Sequence, residues 1–139
     1  MTAQALESAR NWTLALPYQK PPLTLNMRLH HMAKWRLEQE IQTAALVLAR
    51  AQKVPMCERI SVELHWRPKT RRARDGDNLF ATIKPLVDGI RKAGVISDDD
   101  STRVVHRNPV IHPPESAAPH GGLWLVITDL SGSTETDPT

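Results

Sequence analysis

The alternation Ile60-Ser61-Val62-Glu63-Leu64-His65-Trp66 constrains the fold more than any other part of the sequence. A period of two places Ile60, Val62, Leu64 and Trp66 on a buried strand face and Ser61, Glu63 and His65 on the opposite one. Two other segments carry a helical period. Over residues 33–51, Leu37, Ile41, Ala45 and Leu48 recur at spacings of three and four with no Gly or Pro among them, which predicts an amphipathic helix. Over residues 78–93, Phe80, Ile83, Leu86, Val87 and Ile90 fall on one arc, while Asp77, Lys84 and Asp88 fall on a different side. Pro85 removes a helical hydrogen bond at a cost of about 3 kcal/mol. The second helix therefore either bends there or begins near Lys84 with Pro85 in its first turn. Gly94 ends it as a C′ glycine.

The remaining elements are shorter. Trp12, Leu14 and Leu16 alternate up to Pro17, and residues 18–31 read as an irregular loop because Pro21 and Pro22 supply no backbone donors. Residues 103–111 read as a strand, with Pro109 marking either an edge position or an early end. Residues 123–127 are apolar at nearly every position, as in a central strand. Together these predict a single small α+β domain over residues 12–128, with a mixed sheet of about four strands and two main helices. Residues 1–11 are expected to be a flexible lead-in and residues 129–139 a disordered acidic tail. A chain of 139 residues suits one core.

Cys57 is the only cysteine, which rules out an internal disulfide and a thiolate metal cage and suggests a reducing, cytoplasmic setting. No apolar run approaches the roughly 20 residues that a membrane helix needs. The first ten residues lack the apolar stretch of a secretion signal. His30 and His31 are adjacent rather than at helical ligand spacing, and no cysteine accompanies them, which makes them an unconvincing zinc site.

The chemistry concentrates in residues 67–100. A basic run, Arg67, Lys69, Arg71, Arg72 and Arg74, leads into Asp75-Gly76-Asp77-Asn78 and, after the second helix, into Asp98-Asp99-Asp100. In extended chain Asp75 and Asp77 point the same way, so both carboxylates can meet one hard cation. The plainer reading has Asp77 and Asn78 capping the helix, Asp75 paired with an arginine, and Lys84 bridged to Asp88 four residues on. Carboxylates gathered closely repel one another unless a cation sits among them. Beside Lys and Arg, such a cluster suits metal-assisted chemistry on phosphate. Lys84 is then a candidate for holding a phosphate oxygen. The basic run suits contact with phosphates, and the segment Asn26–Lys34, with Arg28, His30, His31 and Lys34, is a second candidate surface for a polyanion.

The segments Arg72-Ala-Arg74-Asp75-Gly-Asp77-Asn78-Leu79, Lys84-Pro-Leu-Val-Asp88-Gly-Ile-Arg-Lys92-Ala-Gly94-Val95 and Asp98-Asp99 resemble the signature of the RusA-type Holliday junction resolvases of bacteria and prophages. The resemblance closely covers about a third of the chain. It implies a small mixed α/β homodimer that binds four-way DNA junctions and cuts them symmetrically with Mg²⁺ or Mn²⁺, with no organic cofactor. Position by position, it implies Asp75, Asp77 and Asp99 as metal-binding and catalytic acids, with Asp98 as a further candidate ligand and Lys84 as the motif lysine. The sequence departs from the family pattern twice. Phe80-Ala-Thr-Ile83 lengthens the gap between Asn78 and Lys84 by three residues relative to the shorter family pattern, and Asp100 adds a third acid. If the extra residues are helical, Lys84 turns by about 300° and rises by about 4.5 Å. If they bulge ahead of a helix starting near Lys84, the lysine keeps its place.

Two other functions fit the same residues. One is a non-catalytic module for branched DNA whose acids only cap helices and pair with arginines. The other is a metal-dependent nucleotide phosphohydrolase, which also clusters acids near lysine.

Overall fold

The computed structural model describes residues 10–25, 27–70, 79–114 and 122–131. In chain order the elements are β1 (Asn11–Ala15), α1 (His31–Ala51), β2 (Ile60–Arg67), α2 (Phe80–Lys92), β3 (Val104–His106), β4 (Val110–Ile111) and β5 (Gly122–Asp129). The five strands form one mixed sheet in the order β1-β5-β2-β3, with β4 also on β2. β5 is antiparallel to both β1 and β2, whereas β3 and β4 lie parallel to β2.

Register turns the alternation into a core. Leu125 stands opposite Leu14 on one side and Leu64 on the other, and Ile127 stands opposite Trp12 and Val62. Leu14, Leu64, Leu125 and Ile127 are fully buried, and the same cluster takes in Ile41, Ala45 and Ala49 of α1 and Ile83, Leu86, Val87 and Ile90 of α2. Both helices thus cover the one sheet face that carries these residues. Each fully buried Leu or Ile contributes on the order of 1.5–3 kcal/mol. The helices touch at Gly89, where a side chain would run into the Gln42 carbonyl.

The structure departs from the sequence expectations at three places. Residues 103–111 form two short strands rather than one, because the chain leaves the β2 edge between His106 and Val110, around Pro109. Among the described residues the sheet accordingly has five strands. The ordered chain also reaches past Thr128. Asp129 ends β5, its N–H donates to the Arg10 carbonyl at 2.8 Å, and Leu130 is buried with its N–H on the Arg59 carbonyl at 2.9 Å. At the other end, Arg10 forms an ion pair with Asp129 at 2.7 Å, so the lead-in is anchored at least from Arg10 onward.

α2 passes through Pro85 as one helix starting at Phe80. Pro85 is buried, and the missing N–H falls where the Ala81 carbonyl would otherwise have its partner. At the far end Gly94, with φ 89°, closes a Schellman motif: its N–H meets the Arg91 carbonyl at 3.0 Å, and the Val95 N–H meets the Ile90 carbonyl at 3.3 Å. This turn sends the chain back towards β3 through the aspartate run. Among the described residues, no helix is long and apolar enough to cross a membrane.

Candidate active site

Phe80, Ile83, Lys84 and Val87 lie three, four and seven positions apart and so form one stripe along α2. That stripe is one wall of a pocket of about 200 Å³, whose other wall is Asp99 and His106. Because α2 begins at Phe80, the extra residues ahead of Lys84 are helical, and Lys84 nonetheless shares a pocket with the aspartate run. No ion pair among the described residues joins Lys84 to Asp88, although their spacing permits one.

The three aspartates have different surroundings. The Asp98 carboxylate accepts the Asp99 N–H at 2.8 Å, and Asp98 is not among the residues lining the pocket. Asp100 closes the turn into β3. Its carboxylate accepts the Thr102 N–H at 3.0 Å and the Thr102 hydroxyl and pairs with Arg103, while its carbonyl accepts the N–H groups of Arg103 and Val104. The Thr102 hydroxyl, together with the Thr102 N–H and Arg103, holds the Asp100 carboxyl below its usual range against a smaller opposing effect of desolvation. Asp99 is left as the carboxylate of the run that lines the pocket.

His106, at the end of β3, was not singled out by the sequence. Partial desolvation lowers its pKa, the Asp99 charge pulls it back up, and the Lys84 charge pushes it down. The three side chains therefore feel one another across the pocket. Strand alternation gives His106 no distinguishing mark, and Lys84 is 22 residues away in sequence, so only the folded chain reveals the grouping.

The other candidates are dispersed. Arg67 lies on the uncovered sheet face with its guanidinium 5.2 Å from the Trp124 ring centre. Lys69 borders a separate hollow of about 680 Å³ with Tyr18, Lys20 and Trp66. Arg28 and Lys34 are exposed at the start of α1. Asn26, Arg71, Arg72, Arg74, Asp75 and Asp77 lie outside the described residues. On the uncovered face, Glu63 Oε1 is 2.7 Å from His65 Nε2, and His65 Nδ1 is 2.8 Å from His112 Nε2. Trp124 stacks on both imidazoles.

Among the described residues, no group of three or more His, Cys, Asp or Glu is placed to hold a metal ion. Among the described residues the pocket offers one carboxylate, Asp99, beside the His106 imidazole, whose lowered pKa favours the neutral form; Mg²⁺ takes one or two carboxylates and keeps several waters.

A two-layer α+β domain with an Asp–His–Lys pocket between its second helix and the sheet edge is the class that fold and site define. The chain is 30% identical over 128 residues to an uncharacterized protein of Xylella fastidiosa (strain Temecula1), an alignment covering 88% of this chain and 78% of that one. It belongs to the same family as that protein. No family model matches the chain.

Proposed function

We propose that the protein is a Mg²⁺-dependent, structure-selective endodeoxyribonuclease of the RusA type, which acts as a homodimer on four-way junctions and other branched DNA during recombination and repair. The observation that carries this reading is the meeting of Lys84 and Asp99 in one pocket at the start of α2. In sequence, Asp75 and Asp77 precede Leu79 by four and two residues.

In this reading Asp99, with Asp75 and Asp77, would hold Mg²⁺ or Mn²⁺. The bound ion would neutralise charge building on the scissile phosphodiester. The Lys84 ammonium holds a non-bridging phosphate oxygen at the pocket mouth. His106, its pKa lowered, supplies a neutral imidazole able to take a proton from an attacking water. Arg28, Lys34 and Lys69 are exposed cations suited to phosphates of the DNA arms, which they would position without reading sequence. A two-fold dimer presents two equal sites to opposing strands of a junction with matching symmetry.

The test is cleavage of a mobile four-way junction with Mg²⁺, Mn²⁺ or EDTA, beside linear duplex, fork, flap and free nucleotides. Metal-dependent, junction-selective cutting is expected, and Asp75→Asn should bind the junction without cutting it. Undiminished cutting by Asp75→Asn would remove the metal assignment, and turnover of nucleotides in preference to the junction would overturn the reading.

A further inference from the structure

α1 stands partly clear of the body of the protein. Its first six residues, 31–36, are all exposed, and the inward stripe begins only at Leu37. About 9 Å of helix therefore projects beyond the core. On this projection and the loop before it, large apolar side chains face solvent: Met27 is 42% exposed, Leu29 42%, Met32 45% and Trp35 55%. Scattered exposed apolar residues are ordinary; here four such side chains fall within nine residues of chain, and Met32 and Trp35 lie about one helical turn apart on α1.

The charge around the patch narrows the choice of partner. No acidic residue occurs from Ser8 to Leu37, while Arg28, Lys34 and Arg36 are interleaved with the apolar positions. The first turn of α1 also lacks an acidic side chain, so its positive end is not neutralised by its own residues. A second copy of the same patch would bring like charges together. A polyanion that also offers flat apolar surface fits better, and nucleic acid with unstacked bases has both properties.

The loop that leads to the ridge is tied to the helix that lines the pocket. The Thr82 hydroxyl donates to the Leu23 carbonyl at 2.6 Å and accepts the Leu23 N–H at 3.4 Å, which ties the loop to α2 next to Ile83 and Lys84. His30 caps α1 by accepting the Met32 N–H on Nδ1 at 3.2 Å, which fixes where the helix starts.

We propose that Met27, Leu29, Met32 and Trp35 form a wedge that enters the opened base stack at a DNA branch point while Arg28, Lys34 and Arg36 hold the flanking phosphates. This rests on the branched-DNA reading above and adds to it the means of branch recognition. Apolar side chains inserted between base steps unstack them, and an aromatic side chain recovers about 1–3 kcal/mol per stacked base. The branch thus becomes the cheapest place for the wedge to enter, and the adjoining strand passes the Lys84 pocket.

The experiment uses the full chain in EDTA with a four-way junction carrying 2-aminopurine at the crossover, read by fluorescence and by binding titration. Wild type should raise the 2-aminopurine signal several-fold. Trp35→Ala combined with Met32→Ala should lose most of that rise per bound complex, and Trp35→Phe should restore much of it. Arg28→Gln with Lys34→Gln should instead weaken binding and flatten its salt dependence while keeping the signal per bound complex. An unchanged signal from the Trp35/Met32 variant would overturn the wedge while leaving the nuclease reading intact. Wild type showing no preference for the junction over linear duplex would overturn both. A wild-type dimer converted to monomer by Trp35→Ala, or binding of the patch to anionic vesicles in place of the junction, would reassign it and sink the proposal.

Discussion

Gly89 of α2 and the backbone carbonyl of Gln42 in α1 stand so close that a Cβ at position 89 would approach the oxygen more closely than real side chains do. The same Cβ would lie 2.9 Å from the Ala45 methyl. The obstruction is backbone, so no side-chain rotation relieves it.

Gly89→Ala should therefore destabilise the protein although alanine is the better helix former. The helix gains about 1 kcal/mol in propensity, while overpacking costs about 1–3 kcal/mol and falls at the upper end when a backbone must move. A net loss of about 1–2 kcal/mol in urea unfolding is expected. A variant as stable as wild type would show that the helices separate freely at this crossing.

Thr82 is fully buried and serves both backbone groups of Leu23. Thr82→Val keeps the shape and removes the hydroxyl, leaving the Leu23 carbonyl without this donor. Denaturant unfolding should register a loss of about 1–3 kcal/mol, whereas Thr82→Ser should stay close to wild type.

His106 supplies a test of the pocket by pH titration. Its pKa is lowered in the folded chain, so the unfolded chain takes up the proton first. Stability should hold above the ordinary histidine value, fall as pH drops through it, and level off below the folded pKa. Nuclear magnetic resonance of the imidazole should show the midpoint rising in Lys84→Ala and falling further in Asp99→Asn. Shifts of the same sign in both variants would mean that the three groups do not share an electrostatic environment.

Burial, reinforced by the charge and hydrogen bonding of Asp129, pushes the Cys57 thiol up to about 11, with Arg10 partly opposing. Only the thiolate alkylates, so at pH 8 Cys57 should react about a hundredfold more slowly with iodoacetamide than an ordinary thiol. The difference should narrow as pH rises and close only above about pH 11. Fast labelling at pH 8 would show that this strand end opens readily.

The sequence disclosed elements better than their meetings. Alternation at residues 60–66 and apolar density at 123–127 identify β2 and β5, and the Leu37–Leu48 repeat identifies α1, because each reports local burial. Nothing local says that Leu125 faces both Leu14 and Leu64, since register is a property of the assembled sheet. Pro85 was ambiguous for a similar reason: packing of Leu86, Val87 and Ile90 against the core favours a continuous helix, and that support is tertiary. Within the candidate site, Lys84 and Asp99 were readable as residue types. Their convergence with His106 depends on the Gly94 turn and the Asp100 hydrogen bonds, which fold the aspartate run back over α2.

The division of the β2 partner into β3 and β4 has a consequence for how the molecule behaves at high concentration. An uninterrupted border strand offers a row of unpaired amides on which another chain can polymerise. Here that border consists of three-residue and two-residue pieces separated by a break at Pro109, and the opposite border, β1, is five residues long and stops short of Pro17. Among the described residues, neither border carries an unbroken strand longer than five residues, which shortens the template that a pairing chain would need.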